Sequence, residues 1–259
     1  TFMEKRSIAD RVPMWINENC IQCNQCAFVC PHATIRPFLL NEEETKNLPE
    51  AVKNDVLTAM GGPAVKGLTF RIQVSPKNCV GCGLCVVECP GKAGKKALEM
   101  VEAKSQFDTQ EPAADYLYKH VEYKNGGFPV TTVKGASFLM PYAEVSGACA
   151  GCGETPYIKM LTQILGEKLV IANATGCSSI YGGSTPSTPY SIPWANSLFE
   201  DNAEFALGIH ISYKQKRDRI KHIIKETINS VDEDIKELFT RWLENENDFE
   251  ITKDVKEKL

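Results

Sequence analysis

Cys20-Ile21-Gln22-Cys23-Asn24-Gln25-Cys26-Ala27-Phe28-Val29-Cys30-Pro31 recurs further along the chain as Cys79-Val80-Gly81-Cys82-Gly83-Leu84-Cys85-Val86-Val87-Glu88-Cys89-Pro90. Both stretches read Cys-x2-Cys-x2-Cys-x3-Cys-Pro. A tight loop at this spacing wraps an iron–sulfur cube and turns three thiolates onto it, while the fourth cysteine opens the next element and faces a second cube. The expected ligation is therefore crossed. Cys20, Cys23, Cys26 and Cys89 would hold one 4Fe–4S cluster, and Cys79, Cys82, Cys85 and Cys30 the other. Pro31 and Pro90 turn the chain away after each crossing ligand. Ile21, Phe28, Val80 and Leu84 would limit water access, which helps set a cluster's potential. Zinc fits poorly, because its sites use cysteine pairs held apart by a longer loop. Disulfides fit worse, since a Cys-x2-Cys-x2-Cys run offers poor bridging geometry. Fully ligated cubes do not bind substrate at iron; they carry single electrons.

Around the repeat, 43% hydrophobic and 24% charged residues among 259 describe a globular chain. A net charge of -4 supplies no basic surplus for phosphate, which argues against nucleic acid as a partner. No apolar run reaches the length of a membrane span, and no stretch reads as a signal peptide. Thr1 in first position suggests that the chain starts inside a longer polypeptide. The eleven cysteines fall in tight groups, with none from Ser178 to Leu259. Such grouping suits metal ligation in a reducing cytosol, so the cytoplasm is the expected location.

Leu68 to Val74 alternates and predicts a strand, with Leu68, Phe70, Ile72 and Val74 on one face. The segment 41–60 reads as acidic and then helical, closing at Gly61-Gly62-Pro63. A further helix is expected from Ala113 to Tyr123, and Gly126-Gly127 marks a domain boundary. The fold expected for residues 1–125 is an α+β, bacterial two-cluster ferredoxin-like domain with a long insert at about 36–68. Residues 126–259 have the texture of an α/β domain. Thr155 as N-cap and Pro156 at the first helical position start a helix running to about Leu165. Lys168 to Asn173 reads as a short buried strand, and 176–193 as a long functional loop. From Lys214 a helical hairpin is expected. Ile220, Ile223, Ile224 and Ile228 form one apolar face, and Ile235, Leu238, Phe239, Trp242 and Leu243 another, with Ser230 and Glu233 as a capping box between them. His32, His120, His210 and His222 show no ligand spacing, and Trp15, Trp194 and Trp242 read as packing residues.

Cys149-x2-Cys152 precedes the Thr155 helix and Cys177 follows the expected strand. In an α/β unit both positions fall at a strand end, where ligand-binding loops gather. The residues alone leave three readings open: buried structural cysteines, a zinc site, or a third cluster. Any cluster here needs a fourth ligand beyond the eight cysteines already assigned.

Glu4-Lys5-Arg6, the cysteine repeat, Ser146-Gly147-Ala148-Cys149-Ala150-Gly151-Cys152-Gly153-Glu154-Thr155-Pro156-Tyr157 and Asn173-Ala174-Thr175-Gly176-Cys177-Ser178-Ser179-Ile180-Tyr181-Gly182-Gly183 together resemble pyruvate:ferredoxin (flavodoxin) oxidoreductase. The resemblance implies a ferredoxin-like domain followed by part of a thiamine-diphosphate-binding domain. It implies that Cys149, Cys152 and Cys177 ligate a third 4Fe–4S cluster whose fourth ligand lies outside this chain. Glu154 and Cys177 would lie at the thiamine diphosphate, whose Mg2+-binding Gly-Asp-Gly motif is not in the sequence. In the complete protein it implies pyruvate and coenzyme A as substrates, acetyl-CoA and carbon dioxide as products, ferredoxin or flavodoxin as acceptor, and a homodimer. The chain alone is expected to be inactive. Without the resemblance, the first ninety residues also suit a free-standing two-cluster electron-transfer protein with an appended docking domain. An iron–sulfur scaffold with no redox duty is disfavoured by the crossed ligation.

Overall fold

The computed structural model describes residues 5–183 and 193–259. In chain order they form β1 (Arg11–Trp15), α1 (Gln25–Phe28), β2 (Ile35–Leu40), α2 (Glu42–Lys46), β3 (Leu57–Thr58), β4 (Thr69–Val74), α3 (Leu84–Val87), β5 (Leu98–Glu102), α4 (Lys104–His120), α5 (Val133–Ser137), α6 (Thr155–Leu165), β6 (Ile171–Ala174), α7 (Cys177–Gly183), β7 (Trp194–Ser197), α8 (Asn202–Thr227), α9 (Glu233–Glu244) and α10 (Phe249–Lys258). They divide into one compact unit of Thr1–Val170 with Gly176–Trp194 and another of Ile171–Thr175 with Ala195–Leu259.

In the first unit β1 pairs antiparallel with β5, Trp15 opposite Leu98, so the element before the first cysteine run meets the one after the second. A second sheet has the order β2-β4-β3, with Ile35 opposite Val74 and Phe38 opposite Arg71. All six residues of β2 are buried because the sheet is covered on both faces. Ile35 and Leu39, with Phe70, Ile72 and Val74 of β4, pack on the side of Cys26, Cys30, Cys85 and Cys89. Phe38 and Leu40 face Ala113 and Leu117 of α4.

The face under α4 also buries cations, each held by several partners. Arg71 is fully buried; its guanidinium donates to the Asp55 backbone oxygen, to Asp55 Oδ2 at 2.9 Å, to Gln73 Oε1 at 2.9 Å and to Gln110 Oε1 at 3.0 Å. Arg36 stacks 4.0 Å over the Tyr118 ring, donates to Tyr123 Oη at 2.7 Å and pairs with Glu144. Burial pushes the Glu144 carboxyl up, but Arg36 outweighs it and holds the group below its ordinary value. The folded value therefore lies under the unfolded one of about 4.3. This pair stabilises the fold fully above that pH and progressively less as pH falls through the folded value. Glu144→Gln should cost about 3 kcal/mol at neutral pH. Urea unfolding should show that deficit, and show it shrinking in acid.

Gly126 and Gly127 lie inside the first unit. Gly126 has φ +63°, and a Cβ there would stand 2.6 Å from Val65 Cγ1 and 2.7 Å from Leu39 Cδ1. The pair is thus a close-packed turn against the sheet. Gly126→Ala should cost about 1 to 3 kcal/mol through overpacking, read as a lowered thermal midpoint.

Several elements depart from the sequence expectations. The segment 41–60 holds only the five-residue α2, started by an Asn41/Glu44 capping box, followed by a turn of 3-10 helix and β3. The helix expected from Ala113 begins at Lys104 and runs through Pro112 to His120. Thr155 is the first residue of α6 rather than its cap. The short strand is Ile171–Ala174, set back by a 3-10 turn at Gly166–Lys168. Residues 177–183 are helical, and the rest of the expected loop up to 192 lies outside the described residues.

In the second unit β6 and β7 form a two-stranded sheet, and Thr175 N–H donates to Ser197 O at 2.9 Å. The expected hairpin is three helices, because α8 starts at Asn202 and α10 follows α9. The cap between α8 and α9 is Asp232, so the Ser230/Glu233 capping box does not form. No described helix is long and apolar enough to cross a membrane.

Candidate iron–sulfur centres

The two cysteine loops share one backbone path. Gln22 and Gly81, at matching positions, have φ +57° and +71°; Asn24 and Gly83 have φ +62° and +75°. These left-handed turns curl each loop so that an N–H points inward. Gln22 N–H donates to Cys20 Sγ at 3.4 Å, and Gly81 N–H to Cys79 Sγ at 3.4 Å. Gln22 lacks the freedom of glycine, and its side chain holds it in place. Its Nε2 donates to Thr58 O at 2.8 Å and its Oε1 accepts from Met60 N–H at 2.8 Å.

α1 and α3 then carry the third cysteine of each loop into the core beside the sheet. Cys20, Cys23, Cys26 and Cys89 line one cavity, with Trp15, Ile21, Ile72 and Leu98 among its walls. Cys30, Cys79, Cys82 and Cys85 line a second, with Val80, Leu84 and His32. Thus Cys30 parts from its own run and meets the second one, and Cys89 does the reverse. Ile21, Val80 and Leu84 stand where a water barrier was expected; Phe28 lines neither cavity.

The donor set fits a cluster in each cavity. Burial pushes the Cys26 thiol well above its ordinary value, and the neighbouring Cys85, Cys20, Cys23 and Cys89 push it further. Burial likewise raises Cys79 to about 12, with Cys30 and Cys82 adding to the rise. Thiolates so crowded and so dry need a cationic body between them, which an iron core supplies. Ala97 N–H donates to Cys89 Sγ at 3.3 Å. The buried Trp15 Nε1 has no hydrogen-bond partner among the described residues, and Trp15 lines the cavity with Cys20, whose thiol burial pushes up. Trp15 thus places an unpartnered N–H among the buried groups at the first cavity as well as packing there.

The remaining cysteines are arranged differently. Cys149 is exposed, Cys152 half-buried and Cys177 exposed. Burial raises the Cys152 thiol, but N–H groups of Thr155 and Glu154 at the start of α6 outweigh it, leaving the group below its ordinary value. Glu154 is exposed and its carboxylate makes no capping bond; Cys177 opens α7. Among the described residues no group of three or more His, Cys, Asp or Glu side chains is gathered to hold a single metal ion. The Cys149 to Cys152 loop does lie against the second cavity. His32 Nε2 is 3.4 Å from Cys149 O, and a Cβ on Gly151 would stand 3.7 Å from Cys82 Cβ.

One residue with no signal in the sequence belongs to this region. Lys159 reads as an ordinary polar position on an amphipathic helix, yet it is 2% exposed and reaches α1. Burial lowers its ammonium to about 8, opposed by the nearby Cys30.

Residues 19–93 match the family described as 4Fe-4S dicluster domain, which makes this part of the chain an iron–sulfur protein of the two-cluster class. The whole chain is 43% identical to the pyruvate:ferredoxin oxidoreductase of Moorella thermoacetica, covering 100% of this chain and 22% of that protein. It is 43% identical to the pyruvate-flavodoxin oxidoreductase of Klebsiella pneumoniae (99% of this chain, 22% of the relative) and 44% identical to the mitochondrial pyruvate dehydrogenase [NADP(+)] of Euglena gracilis (94% and 14%). The chain is homologous to one segment of the pyruvate:ferredoxin and pyruvate-flavodoxin oxidoreductases, and spans about a fifth of their length.

Proposed function

We propose that this chain is the electron relay of a pyruvate:ferredoxin or pyruvate:flavodoxin oxidoreductase, which converts pyruvate and coenzyme A to acetyl-CoA and carbon dioxide. The observation that carries the reading is the gathering of the crossed cysteine sets in two separate cavities of one unit. When bound, the clusters supply one-electron transfer, from a third site at Cys149, Cys152 and Cys177 through the second cluster to the first. The contact of the Cys149 to Cys152 loop with the second cavity supports that order.

In this reading Cys20, Cys23, Cys26 and Cys89 hold the first cluster, and Cys79, Cys82, Cys85 and Cys30 the second. N–H groups of Gln22, Gly81 and Ala97 stabilise the sulfurs, and Ile72 and Leu98 keep water away. Thiamine diphosphate and Mg2+ belong to the complete protein, in which Glu154 and Cys177 are candidates to lie near the cofactor. Among the described residues no group of three or more His, Cys, Asp or Glu is gathered to hold the Mg2+ of that cofactor. A homodimer and a cytoplasmic location complete the proposal, the latter supported by eleven free cysteines.

The acceptor would dock at the first cluster. Gly91, Cys89 and Ala97 line its cavity, and between them Lys92 and Lys95 bond each other's backbones at 3.1 and 3.0 Å. This turn presents Lys92, Lys95 and Lys96 exposed, none of them ion-paired among the described residues. An acidic carrier suits such a rim. Charge reversal at Lys92 and Lys95 should slow reduction of an acidic ferredoxin by roughly tenfold or more at low salt. Reduction of a viologen dye should be unchanged.

The relay itself is tested in the complete protein by substituting Cys149 with Ala. Pyruvate- and coenzyme A-dependent reduction of ferredoxin should be lost while the spectra of both dicluster cubes persist. Full turnover in that variant would sink the third site.

A further inference from the structure

A buried ammonium is costly unless its donors are satisfied and its charge is balanced. Lys159, on α6, meets the first condition through the backbone of the first cysteine run. Its Nζ donates to Ala27 O, to Phe28 O at 2.9 Å and to Cys30 O at 2.9 Å. Those carbonyls end α1 and lead into the crossing cysteine, so one cation pins the segment that passes from one cavity to the other.

The second condition is not met by a carboxylate: among the described residues none pairs with Lys159. The charges around it are Cys30, Arg36 and Cys26, and Arg36 repels it. Cys30 lines the second cavity and Cys26 the first. A cube held by four thiolates is an anion in both oxidation states, and more negative by one charge when reduced. A fixed cation beside it stabilises the reduced state more than the oxidised one, and low dielectric enlarges the difference.

We propose that Lys159 is the countercharge of the two clusters and sets their potentials, raising that of the Cys30 cluster more than that of the Cys26 cluster. The asymmetry follows from geometry: Lys159 Nζ bonds Cys30 O directly at 2.9 Å, whereas on the side of Cys26 it reaches the following residue, Ala27. The residue comes from the helix that follows the Cys149 to Cys152 loop, so the same helix start that places Cys152 also places the cation. This inference rests on the two-cluster reading above.

The test is a potentiometric titration, followed by electron paramagnetic resonance, of the complete protein prepared anaerobically with Lys159→Gln and Lys159→Met. Gln keeps amide donors for the α1 carbonyls but no charge; Met keeps neither. The signal missing from a Cys30→Ala protein identifies the second cluster. Both variants should retain full iron. Both should shift the reduction equilibrium of the second cluster about tenfold towards the oxidised form, about 59 mV for one electron. The first cluster should move less. Unmoved potentials in both variants would overturn the inference. So would a shift with Met alone, which would assign the effect to hydrogen bonding, or iron loss in both, which would make Lys159 a structural tie. Absence of the two cluster signals from the unaltered protein would instead overturn the two-cluster reading itself.

Discussion

Cys30→Ala should remove the second cluster and leave the first intact. Chain proximity argues the opposite, because Cys30 belongs to the run that supplies Cys20, Cys23 and Cys26. The cavity walls decide otherwise. Cys30 faces Cys79, Cys82 and Cys85, with Thr34 Oγ1 3.5 Å from its sulfur. A cube deprived of one thiolate in a dry cavity loses both a ligand and part of its charge balance. Iron should fall by about four of the roughly eight atoms in the two cubes. The surviving resonance should be one that Cys89→Ala abolishes. Loss of the cluster on Cys20, Cys23 and Cys26 alone would show that the ligation is not crossed.

Phe70→Ala should be the most damaging change that touches no ligand. Phe70 is fully buried on β4, with its ring centroid 6.2 Å from Trp15 and 6.1 Å from Phe138; Phe138 in turn stacks on Phe128 at 5.8 Å. It shares a core with Cys26, Cys30, Cys85 and Cys89. Removing the ring leaves a cavity that a covered sheet cannot collapse, at a cost of about 3 to 5 kcal/mol. Trp15 would also lose the neighbour that holds its indole towards Cys20. Denaturant unfolding should show the lower stability, and a chelator should strip iron faster than from the unaltered protein. Phe70→Leu should cost less than half as much. Equal iron release from Phe70→Ala and the unaltered protein would separate the aromatic core from cluster retention.

Much of the first unit was legible in the sequence. The face of β4 made by Phe70, Ile72 and Val74 followed from alternation, and α6 ends at Leu165, where the helix opened by Thr155-Pro156 was expected to end. The second face of the same sheet was not legible. The alternation assigned no role to Arg71 and Gln73, yet α4 covers them, and bonds to Asp55 and Gln110 satisfy their buried groups. Gly126-Gly127 read as a domain boundary for a similar reason. A glycine pair has one composition whether it bends freely or fits against Val65 and Leu39, and only packing tells the two apart. Cys149, Cys152 and Cys177 remained ambiguous from residues alone, because spacing constrains ligands within a loop and says nothing about loops that meet across a fold.

What the sequence determined by itself was the expectation of two crossed cysteine sets, which the structure gathers in two cavities. Each run is short, so covalent geometry limits which sulfurs converge and which one must leave. What only the tertiary structure decided was the surroundings of those cavities: Trp15 lining the same one as Cys20, Gln22 anchored to the insert at Thr58 and Met60, and Lys159 beneath the crossing segment. Those partners are distant in the chain, and they meet because the sheet is covered on both faces and α1 packs its Cys26–Ala27 side inward. Burial turns an ordinary lysine into a charge that must be answered, and no pattern of neighbouring residues announces it.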